Sequence, residues 1–199
     1  VRRDLMDEID WSDRLIGIKG TRGVGKTTFL LQYAKEKFGT DRSCLFINMN
    51  NFYFSGHSIV DFANEFQKRG GKVLLIDQVF KHPEWSKELR MCYDRFPNLK
   101  IVFTGSSVMR LKEENLELRD IAKSYNLRGF SFREFLNLQT GMKFRAYSLE
   151  EILSTHEQIA KGVLSKVRPL DYFQDYLHHG FYPFFLEHRN FSENLLKTM

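Results

Sequence analysis

The residues best suited to chemistry lie near the N-terminus and match the pattern G-x-x-x-x-G-K-[ST]. They are Gly20, Thr21, Arg22, Gly23, Val24, Gly25, Lys26 and Thr27. Glycines in such a loop let backbone N–H groups turn inward around phosphate oxygens, and the N-terminus of the following helix favours the same anion. Lys26 would add a positive charge at the β- and γ-phosphates, and the Thr27 hydroxyl would ligate Mg²⁺. Together with the adjoining Thr28, these residues predict a site for a nucleoside triphosphate with magnesium.

The same pattern could also arise by chance, as a glycine turn whose lysine is merely solvated. The apolar run at residues 15–18 predicts a strand before the loop, and the helix-period residues at 27–38 predict a helix after it. A phosphate-binding loop requires this order of strand, loop and helix. We therefore favour the nucleotide site.

Asp77 is a second candidate, because it follows the continuous apolar run at residues 73–76. Such a run predicts a central strand covered on both faces. A carboxylate at the C-terminal end of a parallel strand points into the crevice where ligands bind, so Asp77 could hold Mg²⁺ together with Thr27. The alternative is that Asp77 only caps the next turn, but a cap needs no buried strand before it.

Gln78 stands where many ATPases with this motif place a glutamate that polarises the attacking water. An amide cannot accept a proton as a carboxylate does. The sequence therefore predicts a site that binds nucleotide well and hydrolyses it slowly.

Small polar residues end the fourth predicted strand in the run Thr104-Gly105-Ser106. A hydroxyl at this position could hydrogen-bond the γ-phosphate or the attacking water. Ser106 is our first choice and Thr104 our second. An ordinary turn of small residues explains the run almost equally well.

The elements that must position these residues follow an alternating strand and helix pattern, which is typical of α/β folds with a parallel sheet. Strands are predicted at 15–18, 45–48, 73–76, 101–103 and 124–127, and helices at 27–38, 58–69 and 85–96. Capping boxes at Ser131 with Glu134 and at Ser148 with Glu151 predict two further helices. We expect an α/β core over residues 1–140 and a helical region over 141–199, with Gly141 at the boundary.

Composition limits the class of protein. Apolar residues make up 42% of the 199 residues, and the formal net charge is +5. No apolar stretch approaches the roughly 18 residues of a membrane-spanning helix. The two cysteines, Cys44 and Cys92, are too few for a disulfide scaffold. These features predict a soluble, cytoplasmic protein without a membrane partner, and Val1 in place of Met predicts a segment of a longer product.

Six blocks of the sequence carry a resemblance to a known family: RLIGIKGTRGVGKTTFLLQYA, LFINMNN, VLLIDQVFKHPEWSKELRMCYD, NLKIVFTGSS, YNLRGFSFREFL and HHGFYPFFLE. The chain resembles bacterial and archaeal AAA-type P-loop ATPases of poorly defined role, in which a C-terminal domain of unknown function follows the ATPase domain. The resemblance implies a five-stranded parallel sheet with a small helical lid, and a truncation or limit of order at Met199. The family has Glu at the position of Gln78, so this position either diverged or was changed to trap bound ATP.

The resemblance also implies roles for two residues outside the motifs. Arg119 matches an arginine that can reach the γ-phosphate of a neighbouring subunit, which implies a homo-oligomer; a solvated arginine is the alternative. Pro183, in the run Gly180-Phe181-Tyr182-Pro183, matches a proline that packs on adenine, although an ordinary turn would also contain it.

These observations predict an AAA-type module that binds Mg·ATP and, with Glu at position 78, hydrolyses it to drive or gate an attached domain. One alternative is a nucleotide-gated switch with slow turnover, which Gln78 favours. A DNA-associated ATPase is another, supported by the positive net charge and the family resemblance. The missing guanine-recognition pattern weakly favours ATP over GTP. No residue pattern in the sequence points to a particular client protein.

Overall fold

The computed structural model describes residues 2–106 and 115–186. The chain divides into two compact units. One unit spans Leu5–Arg128, and the other combines Val1–Asp4 with Gly129–Met199. We call the first the sheet unit and the second the helical unit.

A five-stranded parallel sheet forms the centre of the sheet unit. Its strands are β1 (Leu15–Gly20), β2 (Cys44–Asn48), β3 (Val73–Asp77), β4 (Lys100–Ser106) and β5 (Lys123–Asn126). They lie in the order β2-β3-β4-β1-β5, and every pair is parallel. Strand β3 is buried along its whole length and has a neighbour on each side, as its apolar run predicts. The α/β fold class of a P-loop NTPase is confirmed.

Four helices belong to the sheet unit: α1 (Leu5–Glu8), α2 (Lys26–Lys37), α3 (Ile59–Lys68) and α4 (Trp85–Arg95). Short 3-10 turns span Phe52–Ser55, Val79–Lys81 and Leu116–Leu118. Helix α3 begins after Ser58, whose side chain accepts a hydrogen bond from the Asp61 N–H and so satisfies a free donor at the helix end. The helices predicted from the apolar periodicity are present within one or two residues of their expected ends.

Strand β4 extends further than its apolar residues indicate, since it continues through Thr104 and Gly105 to Ser106. These residues remain paired with β1, where Gly20 lies opposite Ser106. Polar residues can occupy a buried strand when their hydrogen bonds are satisfied, and apolar patterning does not detect them.

The helical unit contains α5 (Phe132–Thr140), α6 (Leu149–Leu164) and α7 (Phe173–Asp175). A π-helix at Tyr176–Gly180 and 3-10 turns at Pro169–Tyr172 and Pro183–Leu186 complete its described elements. Both predicted capping boxes are present at the N-termini of α5 and α6. A buried ion pair joins Arg3 to Glu134 at 3.0 Å, and so attaches the N-terminal residues to α5.

The two compact units divide at Arg128/Gly129, before α5, whereas the sequence places the boundary at Gly141. Helix α5 groups with the later residues because Phe135 packs against Tyr176, with ring centroids 5.5 Å apart. Gly141 instead ends α5, with a φ of 70° that suits glycine. The description of residues 141–199 as a lid stays a prediction, and Met199 lies outside the described residues.

Among the helices of residues 2–106 and 115–186, none is both long and apolar enough to cross a membrane.

Candidate functional site

The predicted phosphate-binding loop connects the end of β1 to the start of α2. Gly23 and Gly25 have φ values of 85° and 90°, a region that side chains other than glycine rarely adopt. Gly20 lies so close to the residue that follows β5 that a Cβ atom there would come within 2.4 Å of the Leu127 carbonyl oxygen. The loop therefore needs glycine at all three positions for its backbone path.

Lys26, the first residue of α2, folds its side chain back over this loop. Its Nζ donates hydrogen bonds to the carbonyl oxygens of Gly20 at 2.7 Å and Thr21 at 2.8 Å. Burial lowers the pKa of Lys26, and the nearby Asp77 carboxylate partly offsets this shift. The ammonium group is thus held beside the loop that it is predicted to serve.

Asp77 is buried, with 1% of its surface exposed, and its carboxylate accepts three side-chain hydrogen bonds. Its Oδ2 accepts hydrogen bonds from the Thr27 hydroxyl at 2.8 Å and from the Asn48 side-chain amide at 3.0 Å. Its Oδ1 accepts one from the Thr104 hydroxyl at 2.6 Å. Both predicted metal-binding residues are therefore in contact, although they lie in separate segments of the sequence.

The donor set at Thr27 and Asp77 fits magnesium. A hydroxyl and a carboxylate are hard oxygen ligands, and Mg²⁺ in nucleotide sites uses one or two protein oxygens and completes its shell with phosphate and water. Within the described parts of the chain, no group of three or more His, Cys, Asp and Glu side chains could form an all-protein metal site.

Gln78 has an unusual backbone conformation, with a φ of 55°, and is the only non-glycine among the described residues with positive φ. Its N–H donates to the Thr104 hydroxyl at 2.8 Å, and its side-chain Oε1 accepts from the Asn50 amide at 2.9 Å. A non-glycine residue in this region is strained, and it persists only where its surroundings hold it there. Here one hydrogen bond holds the backbone of Gln78 and the other holds its side chain.

Asn48 and Asn50 are site residues that the sequence analysis missed. Asn48 lies opposite Asp77 in the pairing of β2 with β3, and its Oδ1 also accepts a hydrogen bond from the Asn50 N–H at 2.8 Å. The available signal was their place directly at the end of a predicted strand, the same signal that identified Asp77 and Ser106.

Thr104 contacts Asp77 and Gln78, whereas our first choice at this strand end was Ser106. Ser106 is half-buried at the last position of β4. Its role in hydrolysis stays a prediction. The completely buried hydroxyl of Thr104 orients the Asp77 carboxylate and the Gln78 backbone at once.

The remaining predicted residues lie on different parts of the chain. Thr21, Arg22 and Thr28 are exposed around the loop. Arg119 is exposed at the end of the 3-10 turn Leu116–Leu118 in the sheet unit. Pro183 begins a turn of the helical unit, and its contact with a base stays a prediction.

Replacing Thr104 with Val is expected to lower the free energy of unfolding by about 1–3 kcal/mol, because it removes the hydrogen bonds that Thr104 makes to a buried Asp77 oxygen and to the half-buried Gln78 N–H. Urea denaturation would measure this change. Thr40→Val, at an exposed turn, is the control and should change stability by no more than about 0.5 kcal/mol. Equal unfolding midpoints for Thr104→Val and the parent would contradict this role of Thr104.

No curated protein matches the chain. Among solved structures, that of C. elegans PCH-2 is similar, with a TM-score of 0.44 and 20% sequence identity over 68% of this chain and 41% of that chain. The present chain thus corresponds to less than half of PCH-2. A family model described as AAA domain matches residues 12–136, which is more than half of the chain and includes every motif around Asp77. The chain therefore belongs to the AAA domain family and is an AAA-type nucleotide-binding module.

Proposed function

We propose that this module binds Mg·ATP between the loop at Gly20–Thr27 and Asp77, and that hydrolysis in a form with Glu at position 78 drives or gates an attached domain. The observation that carries the proposal is the 2.8 Å contact between the Thr27 hydroxyl and the Asp77 carboxylate. It joins the two motifs that nucleotide hydrolases use to hold the metal.

The residues around the loop have separable roles in this proposal. The loop N–H groups and the N-terminus of α2 bind phosphate oxygens, and Lys26 exchanges its two carbonyl partners for the β- and γ-phosphates. Thr27 and Asp77 would hold the magnesium that comes with the nucleotide, and the ion would supply positive charge to the phosphate oxygens. Thr104 keeps the Asp77 carboxylate in one orientation, while Asn50 holds the side chain at position 78.

Gln78 supports a second candidate, a nucleotide-gated switch in which bound ATP maintains one conformation and slow turnover resets it. The amide at this position donates or accepts a hydrogen bond but is not a general base. A hydrolysis rate far below about 1 s⁻¹, the low end for ordinary enzymes, would favour the switch.

Arg119 would act between copies of this chain. Arg119 is exposed at the end of the 3-10 turn Leu116–Leu118. In this proposal Arg119 reaches the γ-phosphate of a neighbouring copy, so hydrolysis requires a homo-oligomer. Pro183 is proposed to pack on the adenine.

Lys26→Ala is expected to weaken Mg·ATP binding by about 10- to 100-fold or more, because hydrogen bonds from a charged donor contribute about 1.5–3 kcal/mol each. Isothermal titration calorimetry with Mg·ATP would measure the dissociation constant. The matched control is Lys35→Ala, which removes the same charge from an exposed position of the same helix.

Circular dichroism would establish that both variants are folded. Unchanged ATP affinity in a folded Lys26→Ala protein would overturn the phosphate-binding assignment. A parallel titration with Mg·GTP tests the preference for adenine.

A further inference from the structure

Residues 116–122, which we call the Arg119 segment, are anchored to the hydrophobic core of the sheet unit. Leu118 and Ala122, on either side of Arg119, are 1% and 4% exposed and belong to the hydrophobic core. The Arg119 N–H donates to the Leu116 carbonyl oxygen at 3.3 Å, which completes the turn. Arg119 therefore stands on a fixed backbone while its own side chain is exposed.

Helix α4 holds the same segment at its surface. Arg90 Nη1 donates to both carboxylate oxygens of Asp120, at 3.1 and 3.3 Å, and to the Glu117 carbonyl oxygen at 3.2 Å. The Ser86 hydroxyl, one helical turn earlier, donates to the Glu117 carboxylate. Two side chains of one helix thus contact the chain two residues before Arg119, at Glu117, and directly after it, at Asp120.

Arg90 itself is fixed by its own helix. Its Nε donates to Asp94 Oδ2 at 2.9 Å, an i,i+4 pair that sets the direction of the guanidinium plane. The planar guanidinium can then direct Nη1 at the Arg119 segment while Nε remains bound to Asp94.

These surface contacts are poor candidates for a stabilising role. The side chains of Arg90 and Asp120 are 36% and 66% exposed, and exposed ion pairs contribute about 0–1 kcal/mol to folding. The core contacts of Leu118 and Ala122 already keep the segment folded. What the Arg90 contacts add is a defined position for the peptide units around Arg119.

We propose that Arg90 is a positioning residue that orients Arg119 toward the γ-phosphate of a neighbouring copy, with Ser86 as its partner at Glu117. This inference rests on the proposed function, because it requires Arg119 to act in hydrolysis. A misplacement of about 1 Å can reduce a rate by about 10²-fold, so a small loss of order in this turn is sufficient to matter.

The test is a double-mutant cycle in the full chain carrying Gln78→Glu. Arg90→Ala should lower kcat by about 10- to 100-fold and leave the KM for ATP and the thermal midpoint almost unchanged. In a background that also carries Arg119→Ala, Arg90→Ala should have no further effect on kcat. Arg95→Ala is the matched control, because it removes an exposed arginine from the same helix and no described contact joins it to the Arg119 segment.

Hydrogen exchange gives a readout that a change in global stability alone would not move. The amides of Leu118, Arg119 and Ala122 should exchange faster in Arg90→Ala than in Arg95→Ala, with the strands unaffected. Ser86→Ala is a second, milder variant should Arg90→Ala reduce solubility, and it should change exchange and kcat in the same direction.

The outcomes separate this inference from the proposed function. An active parent in which Arg90→Ala has normal kcat, or an equal loss with and without Arg119, overturns the positioning role alone. An inactive Gln78→Glu parent overturns the proposed hydrolysis on which this inference rests. Normal activity in Arg119→Ala overturns the proposed role of Arg119 and this inference with it.

Discussion

Gln78→Glu is expected to raise single-turnover ATP hydrolysis by about 10²–10⁴-fold, the usual contribution of a positioned general base. That range corresponds to about 3–5 kcal/mol of barrier. The reason is chemical, since the two side chains have nearly the same size and only the carboxylate can accept a proton from water. The affinity for Mg·ATP should change by no more than a few-fold.

The local structure allows this substitution without a backbone change. The φ of 55° at position 78 strains Gln and Glu alike, and the hydrogen bond from the residue 78 N–H to Thr104 does not involve the side chain. Asn50 Nδ2, which now donates to the Gln78 oxygen, can donate equally to a carboxylate oxygen. The new carboxylate should therefore occupy the place of the present amide.

The measurement is a single-turnover experiment with saturating Mg·ATP on both proteins at matched oligomeric state. Gln139→Glu is the control, since it adds the same charge at an exposed position of the helical unit. Equal rates in the parent and Gln78→Glu would show that position 78 is not the base. The water-activating carboxylate would then have to be sought elsewhere, with Glu84, now paired with Lys87 at 2.7 Å, as the next one downstream.

The motif residues and the strand positions could be predicted because both depend on local sequence. The order of strand, glycine loop and helix identified Lys26 and Thr27, and the buried apolar run identified Asp77. A parallel sheet brings the C-terminal ends of its strands to one edge, so contact between Thr27 and Asp77 follows from the fold class.

A place at a strand end is visible in the sequence, but it does not show that Asn48, Asn50 and Thr104 contact Asp77 or Gln78. These contacts depend on the pairing register of β2 with β3 and on which residues of β4 face Asp77, and a shift by one residue would turn the opposite side chains toward it. Register is set by packing across the whole sheet. The helix-to-segment contacts of Arg90 are equally non-local and leave no pattern in the sequence.

The boundary between the sheet unit and the helical unit also depends on tertiary contacts, which local sequence does not show. Helix α5 has the amphipathic pattern and capping box of any surface helix, and local sequence does not say which partner it packs against. The aromatic contact of Phe135 with Tyr176 assigns it to the helical unit, 12 residues before the predicted boundary at Gly141.

Arg119→Ala, in a protein carrying Gln78→Glu, is expected to lower kcat by about 10³-fold or more, because an arginine supplied to the γ-phosphate stabilises charge that develops only in the transition state. ATP affinity should remain close to that of the parent, since the ground state uses the loop and Lys26. If the arginine acts between copies, activity per protomer in the parent should rise with protein concentration, and this rise should disappear in Arg119→Ala.

Mixing two inactive proteins tests the action between copies directly. A Lys26→Ala protomer cannot use its own site but keeps Arg119, whereas an Arg119→Ala protomer keeps its own site and lacks the arginine. If Arg119 acts in trans, the mixture should regain hydrolysis that neither protein shows alone, because a Lys26→Ala copy supplies the arginine to the intact site beside it. A mixture that assembles and stays inactive, or a stable monomer whose rate is independent of concentration, would exclude this role and leave Arg119 as a solvated surface residue.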